Sequence, residues 1–333
     1  MPTKLEPARL TYLFGWRHAL WLPLLAAAAA LSLATGGRHD VDLSHLWGAL
    51  CFPDQSSQQA IMLDLRLPRA LVAAFLGSNL ALAGLALQAV TRNPLASPGI
   101  LGINQGAALG LTFGLIVPGV PLLTATLAGA LMTTLLTFSL AGRQRDSLRL
   151  ILAGVAVGAL AYAMVRFAFT LEDDLARTVV RWAVGDIAKV RWPQAIWLAI
   201  CGLFGGFFSL VLAHRFDLLA LGQTTAQGLG SNPQKTLILG AVLAALLTGV
   251  CVSVAGPIAF AGLVVPHLAR YLVGNSHRVL VPTSAVLGAG LLLLSDGLSK
   301  LIMASEAPVG VVLGMLGAPL FLVLVIRHKE RLC

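Results

Sequence analysis

Long apolar runs alternate with short polar segments along the whole chain, and this pattern predicts membrane-spanning helices. A helix needs about 20 mostly apolar residues to cross the hydrocarbon core of a bilayer, which is roughly 30 Å thick. Ten runs approach or reach this length, the eighth being the shortest. We predict spans near residues 18–36, 67–90, 98–117, 121–141, 148–170, 194–213, 236–256, 259–273, 280–302 and 309–327.

Composition supports the same class. Hydrophobic residues make up 57% of the chain and charged residues only 11%, against about 25% charged residues in a typical soluble domain. A soluble fold with a mean hydropathy of +0.85 would leave large apolar patches in water. We therefore predict an all-α polytopic membrane protein in which residues 1–333 form a single transmembrane domain.

The distribution of basic residues predicts the orientation of the spans. Ten crossings return the chain to its starting side, so both termini share one compartment. Most Lys and Arg residues fall in segments on the side of the termini, which the positive-inside tendency assigns to the cytoplasm. The net charge of +9 does not indicate nucleic-acid binding, because the basic residues lie between apolar runs. The outer face still carries Arg38, Arg66, Arg69, Arg177, Arg181, Lys189, Arg191 and Lys300.

Two stretches rich in Gly and Pro interrupt the apolar rhythm. They are residues 93–99 (NPLASPG) and residues 255–257 (AGP), the second followed by Pro266. Broken helices at membrane depth are tolerated where protein or a water-filled cavity satisfies the freed backbone groups, so they often lie beside a translocation route. Two sets of five spans would face opposite ways, and an inverted repeat of five plus five is possible, although the halves show no clear residue-by-residue similarity.

Glycine recurs at every fourth position in one predicted span, at Gly102, Gly106, Gly110 and Gly114. This spacing lines one face of a helix with hydrogen atoms and lets a neighbouring backbone approach closely. We predict a close helix contact at this face and no chemistry.

The longest predicted cytoplasmic insertion is residues 217–235 (DLLALGQTTAQGLGSNPQK). It is too polar to span a membrane and too apolar for an ordinary linker. Breaks at Gly222 and at residues 230–233 predict two short helices. These would present Leu218, Leu219, Ala226 and Leu229 as an apolar surface for a partner, while the plainer alternative is a simple loop.

Catalytic and metal-binding motifs do not occur in the sequence. It contains no G-x-x-x-x-G-K-[ST] phosphate loop, and its four cysteines show neither disulfide nor metal-ligand spacing. Asp296 and Lys300, one helical turn apart, are expected to offset each other's charge. Arg166 lies in a span without an acidic residue within a turn, which favours a position facing a cavity or the bundle interior, although its side chain could also extend outward from the end of the fifth span. We expect a structural hydrogen-bonding pair between His267 and Arg270.

Many short motifs in fixed order resemble the permease subunits of type II ABC importers for iron–siderophore complexes, ferric citrate, haem and cobalamin. The first half carries residues 66–69 (RLPR), 82–84 (LAG) with Gln88, 93–96 (NPLA) with Pro98, 101–102 (LG), and Trp182 with Gly185. The second half carries residues 221–222 (LG), Ala226, 229–230 (LG), 256–260 (GPIAF), 262–267 (GLVVPH) with Arg270, 277–278 (HR) with Pro282, Asp296, 308–310 (PVG) and 317–319 (GAP).

The resemblance implies a subunit of a larger complex in a bacterial inner membrane. Two permeases would form the pathway, two separate ATPase subunits would bind ATP and Mg²⁺ beneath them, and a periplasmic binding protein would deliver the cargo. No cofactor is implied on this chain. The resemblance assigns contact with the ATPase to Gly222, Ala226, Leu229 and Gly230. It assigns contact with the binding protein to Arg66, Arg69 and Lys300.

Cargo and subunit composition remain open at this level. Residues 150–154 (LILAG) and 251–257 (CVSVAGP) resemble ferric-citrate permeases more than cobalamin permeases, and Arg166 near the pathway would favour an anionic ferric chelate. Cobalamin and haem are the alternatives within the family. The partner permease is expected to be a related chain, although a second copy is possible. A proton-coupled transporter or a structural membrane subunit is a more distant alternative.

Overall fold

The structure is a computed structural model that describes residues 21–36, 44, 45, 47, 48, 57–142, 147–170, 183–302 and 307–327. Among these residues there is no strand, and the chain forms an all-helical bundle. The predicted outer residues Arg38, Arg177 and Arg181, the motif residue Trp182, both chain termini and residues 18–20 of the first predicted span lie outside the described residues.

Twelve α-helices and one π-helical turn, Met62–Arg66, make up this part of the chain. The helices are α1 (Trp21–Ala34), α2 (Ser57–Ile61), α3 (Leu67–Thr91), α4 (Ile103–Ile116), α5 (Leu122–Leu140), α6 (Ser147–Phe169), α7 (Trp192–Ala220), α8 (Gln223–Gly228), α9 (Pro233–Ala255), α10 (Ala261–Val273), α11 (His277–Ile302) and α12 (Val309–Arg327).

A helix lies within each of the ten predicted apolar runs. Six helical stretches are long and apolar enough to cross a membrane: Ser57–Thr91, Leu122–Leu140, Leu148–Phe169, Trp192–Ala220, Pro233–Ala255 and His277–Ile302. The apolar parts of α1, α4, α10 and α12 are shorter. The all-helical, polytopic class is therefore confirmed, whereas the count of ten crossings, the cytoplasmic termini and the inverted repeat stay predictions.

The start of α4 differs from the predicted span 98–117. The residues before Ile103 form a series of turns, in which Leu101 N–H donates to Ser97 O at 3.2 Å and Ile103 N–H donates to Pro98 O at 3.0 Å. Gly102 precedes the helix with φ +77°, a left-handed conformation that glycine adopts without steric cost. The turns arise because Pro94 and Pro98 have no N–H to donate to a helical ladder.

The end of α7 also differs from the prediction, since the helix continues seven residues past the predicted boundary at 213 to Ala220. Its 29 residues correspond to about 44 Å at 1.5 Å per residue, longer than a hydrocarbon core of roughly 30 Å. The apolar run indicates which residues lie within the hydrocarbon core, but it does not indicate where the helix ends. The last two turns of α7 therefore extend beyond the apolar zone and carry His214, Arg215 and Asp217.

Helix α3 is the centre of the bundle and is buried along most of its length. It packs against α7, α9, α10 and α11. At two crossings no side chain separates the backbones. A Cβ at Gly77 would lie 2.0 Å from Gly288 O in α11, and a Cβ at Gly84 would lie 1.8 Å from Gly262 O in α10. Only glycine fits at these contacts, which hold α10 and α11 against one face of α3.

Candidate functional site

The segment that follows α7 is the first part of the candidate site. Helix α8 is one short piece between two glycines, Gly222 with φ +106° and Gly230 with φ +78°. Ser231 N–H donates to Ala226 O at 2.9 Å, which closes the end of α8, and the Asn232 side chain accepts from Lys235 N–H and caps α9. The two turns therefore set the position of a single short helix between α7 and α9.

The predicted surface of this segment requires correction. Residues 217–220 belong to the last turn of α7, so there is one short helix and not two. Leu219 is 1% exposed and Ala226 is 0% exposed, so both pack inward. Leu221 and Leu229, one on each side of α8, are 61% and 59% exposed. The most exposed large apolar side chains of the segment are therefore these two leucines, while Leu218 is half-buried.

A buried ionic cluster lies far from α8, where α1, α3 and α11 meet. The carboxylate of Asp296 is fully buried, and its Oδ1 accepts a hydrogen bond from Arg69 Nε at 2.7 Å. Its Oδ2 contacts Lys300 Nζ at 2.6 Å and accepts from Ser32 Oγ at 2.6 Å. Lys300 Nζ also donates to Ser32 O at 2.7 Å. The expected pairing of Asp296 with Lys300 is confirmed, and Arg69 is an additional partner that the sequence pattern did not show.

Of the three cations assigned to binding-protein contact, two are buried in this cluster and Arg66 is buried beside it. Arg66 and Arg69 are 6% and 8% exposed, and the side chain of Lys300 is 2% exposed. Arg66 donates to Leu33 O at 2.9 Å and to Ala34 O at 3.2 Å. Each cation therefore bonds within the chain, and a docking role, which stays a prediction, would require it to reach a partner from this buried position.

Exposed cations occur on a loop near the same end of the bundle. Lys189 and Arg191 are exposed, and Trp192, which begins α7, donates from Nε1 to Leu63 O at 3.1 Å. Asp186 N–H donates to Ala255 O at 3.0 Å, and Gly310 N–H donates to Gly185 O at 2.9 Å. These bonds hold the loop between the end of α9 and the start of α12.

A helix break separates α9 from α10. Gly256 has φ +76° and Phe260 has φ +66°, so the chain leaves the helical path over residues 256–260. Pro266 in α10 has no N–H, which frees the carbonyl of Gly262. Gln88 Nε2 lies 3.4 Å from this carbonyl and donates to it. A side chain of α3 thus supplies the hydrogen bond that this carbonyl lacks. Such a partner is needed because the bilayer core contains no water to bond a free carbonyl.

The expected pair between His267 and Arg270 does not form. The Arg270 guanidinium donates to Gln88 Oε1, whereas His267 Nδ1 lies 2.8 Å from Leu263 O within its own helix. One turn apart, the two side chains therefore contact different partners, Arg270 on α3 and His267 within its own helix. In the sequence, the position of Pro266 could have indicated this arrangement. A proline inside a helix leaves a carbonyl of the preceding turn without its backbone donor, so a side chain from elsewhere must supply one.

The four glycines that were predicted to form one close helix contact take part in two different contacts. Gly106 and Gly110 face α5, where a Cβ at Gly110 would lie 2.1 Å from Ala125 O and a Cβ at Gly106 would lie 2.6 Å from Gly129 O. Gly102, which precedes α4, faces α6, where its Cβ would lie 2.8 Å from Gly154 O. Gly114 is looser, with the Cβ of Ala125 at 3.0 Å.

A groove runs between α4 and α6. One cavity of about 350 Å³ includes the side chains of Gln105 and Tyr162, and Gln105 Oε1 is buried there with no hydrogen-bond partner among the described residues. Arg166 lies one turn after Tyr162, with Cζ 5.6 Å from the Tyr162 ring centroid, and it is exposed. A second cavity of about 430 Å³ in the same groove is apolar and is lined by Leu109, Thr112, Phe113, Ile116, Ala163, Met164, Phe167 and Ala168.

These features define a class of protein: a polytopic helical membrane protein with broken helices at its centre, a short helix flanked by exposed leucines at one end and no phosphate loop in its sequence. That combination is typical of a transport subunit that draws energy from a partner. The chain belongs to the FecCD transport family, whose model matches residues 24–327. It is a permease of the type II ABC importers, and the family assigned from the motifs is confirmed.

The chain is similar to several characterised permeases. It is 40% identical over 280 residues to the Fe(3+) dicitrate transport system permease protein FecC of Escherichia coli K12, covering 81% of this chain and 84% of that protein. It is 36% identical over 321 residues to the iron(3+)-hydroxamate import system permease protein FhuB of Bacillus subtilis 168, covering 93% and 83%. It is 36% identical over 326 residues to the vitamin B12 import system permease protein BtuC of Citrobacter koseri, covering 94% and 96%.

A solved structure supports the same fold. The chain is similar to an inward-facing metal-chelate type ABC transporter with a TM-score of 0.81 and 31% sequence identity, and the match covers 95% of this chain and 98% of that chain. Permeases of this family work within ABC importer complexes, together with ATPase and binding-protein partners. The family is a transport permease and not an ATPase.

Proposed function

We propose that this chain is a membrane-spanning subunit of an ABC importer that carries a ferric chelate from the periplasm to the cytoplasm across a bacterial inner membrane. The observation that carries the proposal is the geometry of α8. It lies between two glycines with positive φ, and Leu221 and Leu229 extend from its two sides into solvent. Exposed leucines on both sides of a short, fixed helix suit the groove of a soluble partner.

Transport in this scheme is mechanical. ATP binding and hydrolysis in two partner ATPases would move α8, and the bundle would alternate between outward-facing and inward-facing arrangements. The contact would use Gly222 and Gly230 as turns, Ala226 as the buried base of the short helix and Leu229 as an exposed contact. No residue of this chain takes part in covalent chemistry, and ATP with Mg²⁺ would be bound by the partners.

The proposed pathway follows the groove between α4 and α6. Gln105 and Tyr162 line one cavity of the mostly apolar groove, and the Arg166 guanidinium lies beside the Tyr162 ring. The exposed guanidinium of Arg166 would raise the local concentration of an anionic ferric chelate. Ferric citrate is the favoured cargo, supported by the 40% identity to FecC. Cobalamin is the second candidate, since the similarity to BtuC covers 94% of this chain, and a haem permease is also similar.

A proton-coupled transporter is disfavoured by the surroundings of Asp296. A proton carrier must take up and release a proton during each cycle. The Asp296 carboxylate is instead buried between Arg69 and Lys300 and accepts a further bond from Ser32. Both oxygens of the carboxylate are therefore occupied by side chains of the same chain, which suits a structural role.

Uptake by the reconstituted complex tests the proposal. Vesicles containing this chain, its partner permease and the ATPase should accumulate ⁵⁵Fe-labelled ferric citrate only when ATP is inside and the binding protein is outside. Uptake of labelled cobalamin or haem in place of iron would identify the second candidates. Accumulation driven by a proton gradient without ATP would contradict the proposal.

Two further measurements refine it. Arg166→Gln should lower ferric citrate uptake while Arg166→Lys retains most of it, because lysine keeps the charge. Equal uptake by both variants would remove Arg166 from the pathway.

Mass measurement of the detergent-solubilised complex should show a related second permease. A complex with two copies of this chain would support the homodimer alternative.

A further inference from the structure

Asp217 and His277 form a contact between α7 and α11 close to the short helix α8. Asp217 lies in the last turn of α7, five residues before Gly222, and His277 is the first residue of α11. Asp217 Oδ1 lies 2.7 Å from His277 Nδ1 and accepts a second bond from the His277 backbone N–H at 3.0 Å. One carboxylate oxygen therefore holds both the side chain and the backbone of the residue that begins α11.

This contact places a carboxylate at the N-terminus of α11. The first turn of α11 contains no acidic residue, although a negative charge at a helix N-terminus satisfies free N–H groups and interacts favourably with the helix dipole. The carboxylate comes from α7 instead. The start of α11 is thus stabilised by a group on the helix that leads into α8.

The histidine is packed so that it has one hydrogen-bonding partner for its ring. It is 5% exposed, and its ring centroid lies 5.5 Å from that of Phe216, which is itself buried. Because an ionised carboxylate only accepts, Nδ1 is the donor. Nε2 is buried without a partner among the described residues. The bond to Asp217 and the packing against Phe216 therefore set the orientation of the ring.

Helix α11 connects this contact to the buried ionic cluster. It has 26 residues, and His277 and Asp296 are separated by about 29 Å at 1.5 Å per residue. Between them, Gly288 meets Gly77 of α3 backbone to backbone. Helix α11 is thus held at its start by Asp217, crosses α3 at a contact without side chains, and is held near its far end by Arg69 and Ser32.

We infer that Asp217 and His277 are positioning residues that pass the movement of α8 to α11, and through α11 to the cluster around Asp296. The inference rests on the proposed role of α8 in contacting the ATPase. Helix α8 is joined through the chain to α7 and α9 but not to α11. Within the described part of the chain, this contact is a polar link between α11 and the helix that leads into α8. Tilting of α11 about the crossing at Gly288 would then shift Asp296 and Lys300.

Amide hydrogen exchange in the assembled complex tests the inference without any knowledge of the cargo. The complex with its ATPase is placed in lipid nanodiscs, and exchange is measured with and without Mg²⁺, ATP and vanadate. In the unmodified chain, nucleotide should change exchange in residues 222–230 and also in residues 296–302. In His277→Ala, the change in 222–230 should persist while the change in 296–302 falls about fivefold or more, the lower end of typical coupling between sites.

Two matched variants distinguish a link from a merely structural role. His277→Asn keeps a side-chain N–H donor near the position of Nδ1 and should restore most of the response at residues 296–302. His214→Ala removes an exposed histidine one turn before Asp217 on the same helix and should respond like the unmodified chain. A full response at 296–302 in His277→Ala would overturn the inference, as would its absence in the unmodified chain while 222–230 respond. Absence of any response at 222–230 in the unmodified chain would instead contradict the proposed function.

Discussion

Arg69 and Asp296 are 227 positions apart in the sequence, yet Arg69 Nε donates to Asp296 Oδ1 across 2.7 Å in the interior of the bundle. Lys300 and Ser32 contact the other carboxylate oxygen. The carboxylate thus joins α1, α3 and α11 at one point. Burial makes each member of this cluster depend on the others, because a charge that loses its partner away from water has no compensation.

Asp296→Asn should destabilise the protein strongly. The substitution keeps the shape of the side chain but leaves Arg69 and Lys300 without a counter-charge, and breaking a buried ion pair costs about 3 to 5 kcal/mol. The melting temperature of the detergent-solubilised chain measures the effect. Asp186→Asn is the matched control, since Asp186 is exposed, and it should leave the melting temperature unchanged. Equal melting temperatures for the two variants would contradict the structural role of the cluster.

Gly84→Ala should prevent the close approach of α3 and α10. The added methyl group would lie 1.8 Å from Gly262 O, and overpacking of this kind costs about 1 to 3 kcal/mol or more. The amount of folded, monodisperse protein in size-exclusion chromatography reports the loss. Gly228→Ala is the control, because nothing lies within 4 Å of a Cβ there. We expect the control to fold as well as the unmodified chain, and a normal yield of Gly84→Ala would show that the crossing is wider than the structure has it.

Gly230→Ala should distort the turn after α8. Gly230 has φ +78° and open space around its Cβ position, so the cost arises from backbone conformation alone. A left-handed conformation costs an L-residue roughly 1 to 2 kcal/mol. Hydrogen exchange of residues 222–230 should become faster in this variant but not in Gly228→Ala. Unchanged exchange in both variants would show that the left-handed turn is not required.

Leu229→Ser should weaken attachment of the ATPase without unfolding the chain. The side chain is 59% exposed, so its loss removes little packing within this subunit, whereas an apolar contact in a partner groove would disappear. Co-purification of the ATPase measures the attachment. The control is Leu301→Ser, an equally exposed leucine at the end of α11, which should retain the ATPase. Loss of the ATPase from the control alone would place the docking surface at the opposite end of the bundle.

The pattern of apolar positions was enough to predict the class and the helices. Each of the ten apolar runs contains a helix. Every apolar residue of a run favours lipid over water, and these preferences add up over about 20 residues, so the run is easy to recognise in the sequence. The pairing of Asp296 with Lys300 was also predictable, since i and i+4 lie on one helix face. Short motifs such as residues 256–260 (GPIAF) and 262–267 (GLVVPH) were sufficient to indicate the family.

The position of each side chain around its helix was decided by the tertiary structure. Leu219 and Ala226 were expected on a docking surface and are buried, while Leu221 is exposed. Hydropathy does not distinguish these residues, because the direction of a side chain depends on how its helix rotates against its neighbours. The end of α7 was misplaced for a related reason: an apolar run ends where the membrane ends, whereas a helix ends where its backbone bonds end, here at Gly222 with its positive φ.

The sequence by itself determined that this protein lies in a membrane, where its helices run and which segment between them is suited to a partner. Those properties depend on residues near one another in the chain, whose effects add. Only the tertiary structure decided that Arg69 bonds Asp296, that Gln88 satisfies the carbonyl freed by Pro266 and that Asp217 caps the helix beginning at His277. Each of these contacts joins distant parts of the chain through one hydrogen bond, and no local pattern of residues specifies which helices meet.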